Sequence, residues 1–209
     1  MVSNAVDLSA FRFRVRSNPR PAFLVNRHFE SHYNVACVLR AFALIQRRQP
    51  DALLTVAGDG PQRAHLRQLA RDLSLRNIRV VGRVQPEHMP ALYDKHDVWL
   101  NGSEVDNMPM SILEAYACGL AVISTNPGGI SYIVEDGRTG RLVKCGDAKS
   151  LTETALEVIG NPALFCGTDT KRAGRVRELH LGFGEAGLDH RVSQLAPKGT
   201  SLYPRQTCT

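Results

Sequence analysis

Residues 98–124 read VWLNGSEVDNMPMSILEAYACGLAVIS, and the fold class follows from them. Val98-Trp99-Leu100 and Ala121-Val122-Ile123-Ser124 are short, nearly continuous apolar runs, as expected of strands covered on both faces of a parallel sheet. Between them the pattern predicts a helix over 109–118, begun by Pro109 at its first position and released by Gly119. Two carboxylates, Asp106 and Glu114, stand on either side of that helix start. The first N–H groups of a helix have no partner within it, so a helix start facing a loop is a ready anion site. A carboxylate a turn or two further on can then reach the hydroxyls of whatever carries the anion. A nucleotide-sugar site needs that combination.

The same alternation extends outward. Ala22-Phe23-Leu24-Val25, Leu53-Leu54-Thr55-Val56-Ala57 and Ile78-Arg79-Val80-Val81 also read as buried strands, with another near 140–143. Helical stretches lie near 34–48, 62–74, 87–95 and 148–160. In the first of these, Val35, Val38, Leu39, Phe42 and Ala43 make one apolar face. Repeated strand–helix units mean right-handed crossovers and an α/β, Rossmann-like, doubly wound parallel sheet over 21–164. Residues 1–20, with Arg12, Arg14, Arg16 and Arg20, read as a linker leading into it. After Pro162 the periodicity fails, which predicts an irregular tail over 165–209, either disordered or displaced by a reading-frame change.

The chain has 209 residues and a net charge of +6, enough for one well-packed domain and too modest a charge to suggest a nucleic-acid partner. Lys171, Arg172, Arg175 and Arg177 are the densest basic cluster, read as a solvated tail or, alternatively, a peripheral contact with the inner membrane. No apolar run approaches the ~20 residues of a membrane span. The five cysteines, Cys37, Cys118, Cys145, Cys166 and Cys208, show no paired metal-ligand spacing and suit a reducing cytoplasm. Neither metal nor cofactor is called for.

In open parallel sheets ligands bind beyond the carboxyl ends of the strands. The loops there carry Asn26-Arg27-His28, Gly58-Asp59-Gly60-Pro61, Gly82-Arg83-Val84, Asn101 to Asn107 and Asn126-Pro127-Gly128-Gly129. Arg27 is a permanent cation suited to gripping a diphosphate bidentately. Glycine lets backbone approach a ligand closely, although strand-to-helix turns also need it for positive φ. Asp106 and Glu114 admit a glycosidase-like reading as acid and base. The helix start between them argues instead for separate tasks, and the charge-free surroundings of Glu114 require a definite partner for its carboxylate.

Taken together, residues 4 to about 162 resemble the C-terminal, nucleotide-binding domain of a GT-B-fold retaining glycosyltransferase of the family 4, group 1 type. The resemblance is carried in order by Asn4–Phe11, Leu39-Arg40-Ala41-Phe42-Ala43, Ala57-Gly58-Asp59-Gly60-Pro61, Val81-Gly82-Arg83-Val84, Asp106 through Gly119, Gly128-Gly129 and Val134–Gly140. It implies that Asp106 contacts the donor's sugar hydroxyls and Glu114 its ribose, the pair being the family's acidic catalytic positions. It implies that Arg27 holds the diphosphate with the backbone at Asn107, Met108, Pro109 and Met110, that Arg83 and Val84 border the base, and that Gly58 and Gly60 shape the donor loop. Transfer in such enzymes is mainly positioning and stabilisation of the departing diphosphate.

Three departures from the family pattern are local. His32 stands where a second diphosphate cation, a Lys, is usual, followed by Tyr33-Asn34; Asp106 replaces the longer Glu; and Ser131-Tyr132 replaces a Pro-Glu pair. The largest departure is length, since a complete enzyme has a preceding domain that supplies the acceptor site. The chain is therefore expected to be the donor-binding half, completed by an acceptor domain or a partner chain, and inactive alone. The alternatives are a non-catalytic nucleotide-binding module and, further off, an epimerase or phosphorylase on the same architecture.

Overall fold

A computed structural model of the chain describes residues 10–107 and 109–161. Six strands, β1 (Ala22–Asn26), β2 (Leu53–Ala57), β3 (Ile78–Gly82), β4 (Val98–Asn101), β5 (Ala121–Thr125) and β6 (Arg141–Val143), form one sheet in the order β3-β2-β1-β4-β5-β6. Every pairing is parallel. The helices are α1 (Val35–Arg48), α2 (Arg63–Asp72), α3 (Met89–Asp94), α4 (Met110–Ala117) and α5 (Ala148–Gly160). The expected α/β, Rossmann-like, doubly wound sheet is what forms. The tail after residue 161, and with it the basic cluster at 171–177, lies outside the described residues.

The apolar runs are continuous because both faces of the sheet are covered. Phe23, Val25, Leu54, Val56, Val98, Leu100 and Ile123 face α1, α2 and α5, where Val38, Phe42 and Ile45 are fully buried. Leu24, Trp99 and Val122 point the other way, onto Tyr93 of α3 and Ile112, Leu113, Ala115 and Tyr116 of α4. Each such fully buried large side chain contributes about 1.5–3 kcal/mol. One strand departs from expectation: Arg79, Val80 and Val81 of β3 are exposed. The strand order puts β3 at the open edge, where a continuous apolar run is not sustained.

Two termini of α4 matter for the site. At its end Gly119 adopts φ +75°, its N–H bonds the Tyr116 carbonyl at 2.9 Å and the Leu120 N–H bonds the Ala115 carbonyl at 2.8 Å. That pair of bonds closes the helix in the way glycine permits. At its start Pro109 does not occupy the first helical position. It is the extended cap (φ −73°, ψ 113°), and its carbonyl accepts from the Ile112 N–H at 3.0 Å. Proline's fixed φ suits either position, so its ψ decides.

Residues 11–20 form no strand or helix, yet they are fastened to the domain. Asp97, immediately before β4 and nearly fully buried, receives Arg16 Nε at 2.9 Å, Arg14 Nη2 at 2.9 Å and Arg20 Nε at 2.8 Å. Arg16 is itself buried and also donates to the Cys118 carbonyl. Burial alone would raise the Asp97 carboxyl, but hydrogen bonds from Arg20 and Arg16 outweigh it and hold the carboxyl below its ordinary range. What the sequence suggests as a linker is thus anchored over most of the stretch that the structure describes.

Candidate functional site

The strand order reverses direction between β1 and β4, and in open α/β sheets the crevice at such a point is where ligands settle. Arg27 leaves the tip of β1 at this crevice, and Ser103 to Asp106 leave the tip of β4 beside it. The Arg27 guanidinium is almost wholly buried. Nη1 lies 3.2 Å from the Ser111 hydroxyl, Nη2 lies 3.3 Å from the Ser103 hydroxyl, and Nη2 pairs with Asp106 Oδ2. The guanidinium carbon sits 4.5 Å from the centroid of the Tyr33 ring, within cation–π reach. Burial lowers the Arg27 pKa to about 10, which still leaves it charged at neutral pH. Its Nε is buried without a hydrogen-bond partner among the described residues. A buried cation with a spare donor at a crevice is equipped for an anion.

The neighbouring loops fix this cation. A Cβ on Gly58, at φ +142°, would come within 1.9 Å of the Arg27 carbonyl, and one on Gly60 within 2.9 Å of the Phe29 nitrogen. These two glycines therefore serve close backbone packing: Arg27 N–H donates to the Ala57 carbonyl at 3.1 Å and Phe29 N–H to the Asp59 carbonyl at 2.9 Å. Gly128 and Gly129 do the same on the other flank. The Gly129 N–H meets the Asp106 carbonyl at 3.2 Å, and a Cβ there would come within 2.1 Å of the Asn107 carbonyl oxygen. Ser103 is set by donating to Asn101 Oδ1 at 2.7 Å, while its own carbonyl accepts from the Thr125 hydroxyl at 2.6 Å.

Glu114, in α4, is partly buried and has the definite partner its surroundings demand. The Tyr93 hydroxyl donates to Glu114 Oε2 at 2.7 Å. Burial raises the Glu114 pKa, and the Tyr93 hydrogen bond opposes that rise. The amides of Met110 and Ser111 open the helix between Asp106 and Glu114, ahead of the first bonded turn. Arg27, Asp106, Pro109, Met110 and Glu114 are therefore gathered around the crevice, and Asn107 is exposed on its rim. Arg83 and Val84 follow β3, with β2 between them and Arg27. The Gly58 N–H to Gly82 carbonyl bond, 2.7 Å, ties their loop to the rest. Met108 lies outside the described residues.

Several contributors carry no mark in the sequence. Ser103 and Ser111 share Arg27, and Tyr33 gives it a shelf where the family pattern has a second cation nearby; His32 is exposed with its ring 4.2 Å from that of Tyr33. Asn26 and Tyr93 stand behind Glu114. The place of Ser111 in the first turn of α4 is the one cue that sequence offers for it; Tyr93 has no such cue.

The family described as "Glycosyl transferases group 1" matches residues 9–174, most of the chain. The chain belongs to the group 1 glycosyl transferases. N-acetyl-alpha-D-glucosaminyl L-malate synthase of Bacillus anthracis is 31% identical over 167 residues, covering 80% of this chain and 39% of that protein. A GDP-mannose-dependent phosphatidylinositol monomannoside mannosyltransferase of Mycolicibacterium smegmatis is 32% identical over 133 residues, 60% of this chain and 35% of its own length. This group 1 domain thus spans under half the length of the curated relatives it matches. Among solved structures, TarM of S. aureus, in a complex that includes UDP, superposes with a TM-score of 0.76 at 15% identity, covering 86% of this chain and 36% of that one. HepE of Anabaena in complex with UDP-glucose gives 0.72 at 19%, covering 92% and 56%. These likenesses show that the group 1 domain has the Rossmann-like fold of part of GT-B glycosyltransferases.

Proposed function

We propose that this group 1 domain is the donor-binding half of a retaining glycosyltransferase and holds a nucleoside-diphosphate sugar in the crevice between β1 and β4. The observation that carries the reading is the buried Arg27, whose Nε has no partner among the described residues, paired with Asp106 and lying against Ser111 in the first turn of α4. Arg27 and the helix start take the diphosphate. Asp106 turns to the sugar hydroxyls and Glu114 to the ribose. Arg83 and Val84 edge the base, with Gly58 and Gly60 fixing the backbone under Arg27. As the sugar–phosphate bond opens, negative charge grows on the diphosphate, and a pre-set cation stabilises that charge without reorganising. The positive charge this requires comes from the chain itself, with no metal.

The acceptor is brought by a further domain or a partner chain closing over the crevice. Cys37 and Cys118, buried free thiols with pKa values pushed up by burial to about 11 and about 12, fit a reducing compartment. Calorimetric titration of the folded chain with uridine, guanosine and adenosine diphosphates tests the reading. Binding of at least one, weakened about 10-fold or more by Arg27→Ala and by Glu114→Ala, is expected, since a charge-assisted hydrogen bond is worth ~1.5–3 kcal/mol. No heat with any of the three would refute it.

A further inference from the structure

Behind Glu114 lies a chain of hydrogen bonds whose direction is fixed by chemistry. Trp99 Nε1 can only donate, and it donates to Asn26 Oδ1 at 2.5 Å. That contact assigns the Asn26 amide: its oxygen faces Trp99 and its nitrogen faces Tyr93, donating to the hydroxyl at 2.7 Å. The Tyr93 oxygen accepts there, so its single proton is left for Glu114 Oε2 at 2.7 Å, with the Ser111 carbonyl at 3.2 Å as a weaker second acceptor. Tyr93 and Trp99 are fully buried on the sheet face beneath α4. The Tyr93 ring is wedged edge-on against Phe11, with centroids 5.9 Å apart.

We propose that Tyr93, oriented by Asn26 and Trp99, is a positioning residue that holds Glu114 by Oε2 as a hydrogen-bond acceptor and leaves Oε1 for the ribose hydroxyls of the nucleotide. The inference rests on the ribose-binding reading of Glu114. It adds that recognition of the ribose is set from the core of the domain rather than by the loops. Burial pushes the Tyr93 hydroxyl well above its ordinary range, so it remains a proton donor throughout the neutral region. Without that donor the buried Glu114 carboxyl would take up a proton at higher pH, because the Tyr93 bond is what opposes the effect of burial.

The experiment compares uridine and guanosine diphosphates with their 2′-deoxy and 3′-deoxy analogues, by calorimetry between pH 5.5 and 8.5, on the intact chain. Tyr93→Phe keeps the ring and removes the hydroxyl. Its preference for ribose over deoxyribose falls about 10-fold, and the pH below which binding is lost moves upward. A role in packing alone would alter neither quantity. Asn26→Asp is the second variant: the carboxylate still accepts from Trp99 but draws the Tyr93 proton to itself, and it reproduces the loss of ribose preference. A wild-type chain that binds neither nucleotide overturns the functional reading and this inference with it. A wild-type chain that binds, with ribose preference unchanged in whichever variant folds, overturns the positioning role alone.

Discussion

In the free site the cation proposed for the diphosphate is already taken. Arg27 pairs with Asp106, and their side chains are 9% and 8% exposed, so water screens the pair little. Two unit charges about 4 Å apart at an effective dielectric of 20 attract by about 4 kcal/mol. A diphosphate entering the crevice must share or displace that partner while also facing the carboxylate's negative charge. The released carboxylate regains solvent or sugar hydroxyls, which offsets most of the loss. A net penalty of about 1.4 kcal/mol, a factor of ten, is what we expect to remain. Asp106→Asn removes the competitor while keeping the side chain's shape. It should bind uridine or guanosine diphosphate about ten times more tightly than wild type in calorimetric titration. With the complete nucleotide sugar the gain should shrink if the wild-type carboxylate accepts, as proposed, from sugar hydroxyls that the amide serves less well. Unchanged or weaker diphosphate binding in Asp106→Asn would refute the idea that this ion pair guards the site.

Three further outcomes follow from the same geometry. Glu114 has a raised pKa in the fold, so its charged form opposes folding; that burden is absent well below the unfolded pKa and grows as pH rises through the folded one. Glu114→Gln should therefore raise Tm at pH 7, by about 2–4 °C for each kcal/mol released, while weakening nucleotide binding; a Tm at or below wild type at that pH would count against it. Asp97 has the opposite sign: its depressed pKa gives stability that is present above the unfolded pKa and lost as pH falls through the folded one. Asp97→Ala leaves the buried Arg16 with carbonyl acceptors but no counter-ion and should cost about 3–5 kcal/mol, with the half-exposed Arg14 and Arg20 adding only about 0–1 each. Denaturant melts at pH 7 and pH 3 would test it, the gap narrowing in acid. Gly58→Ala forces a Cβ onto the Arg27 carbonyl at a strained φ costing about 1–3 kcal/mol; circular dichroism should persist while nucleotide binding falls, and unaltered binding would show that the 27–29 loop does not place the cation.

The inner strands β1, β2, β4 and β5 were legible because they are buried on both faces, which writes an uninterrupted apolar run into the chain. β3 was legible as a strand but not as an edge, since strand order is set by crossovers that local composition does not encode. Arg27, Asp106 and Glu114 stood out as candidates because strand tips and a helix start confine where ligand chemistry can sit. Their partners could not. Ser103 and Ser111 reach Arg27 across 76 and 84 residues, and Tyr93 reaches Glu114 across 21, as single polar side chains with no periodicity. The arginines of residues 1–20 suggested a linker because nothing local to them announces Asp97, some 80 positions on. Pro109 was misplaced by one position because its ring constrains φ and leaves ψ to the loop before it.

The anchorage at Asp97 has a mechanical consequence. β4 starts at Val98, next to the residue that three arginines grip, and ends at Asn101, from which the loop bearing Ser103 and Asp106 departs. Four extended residues span about 13 Å. The stretch ahead of β1 is thus bolted to the root of the strand whose tip presents Asp106, the carboxylate proposed to meet the sugar. A pull on the chain before Arg14 would therefore load β4 at its root, one strand-length from the loop that bears Asp106.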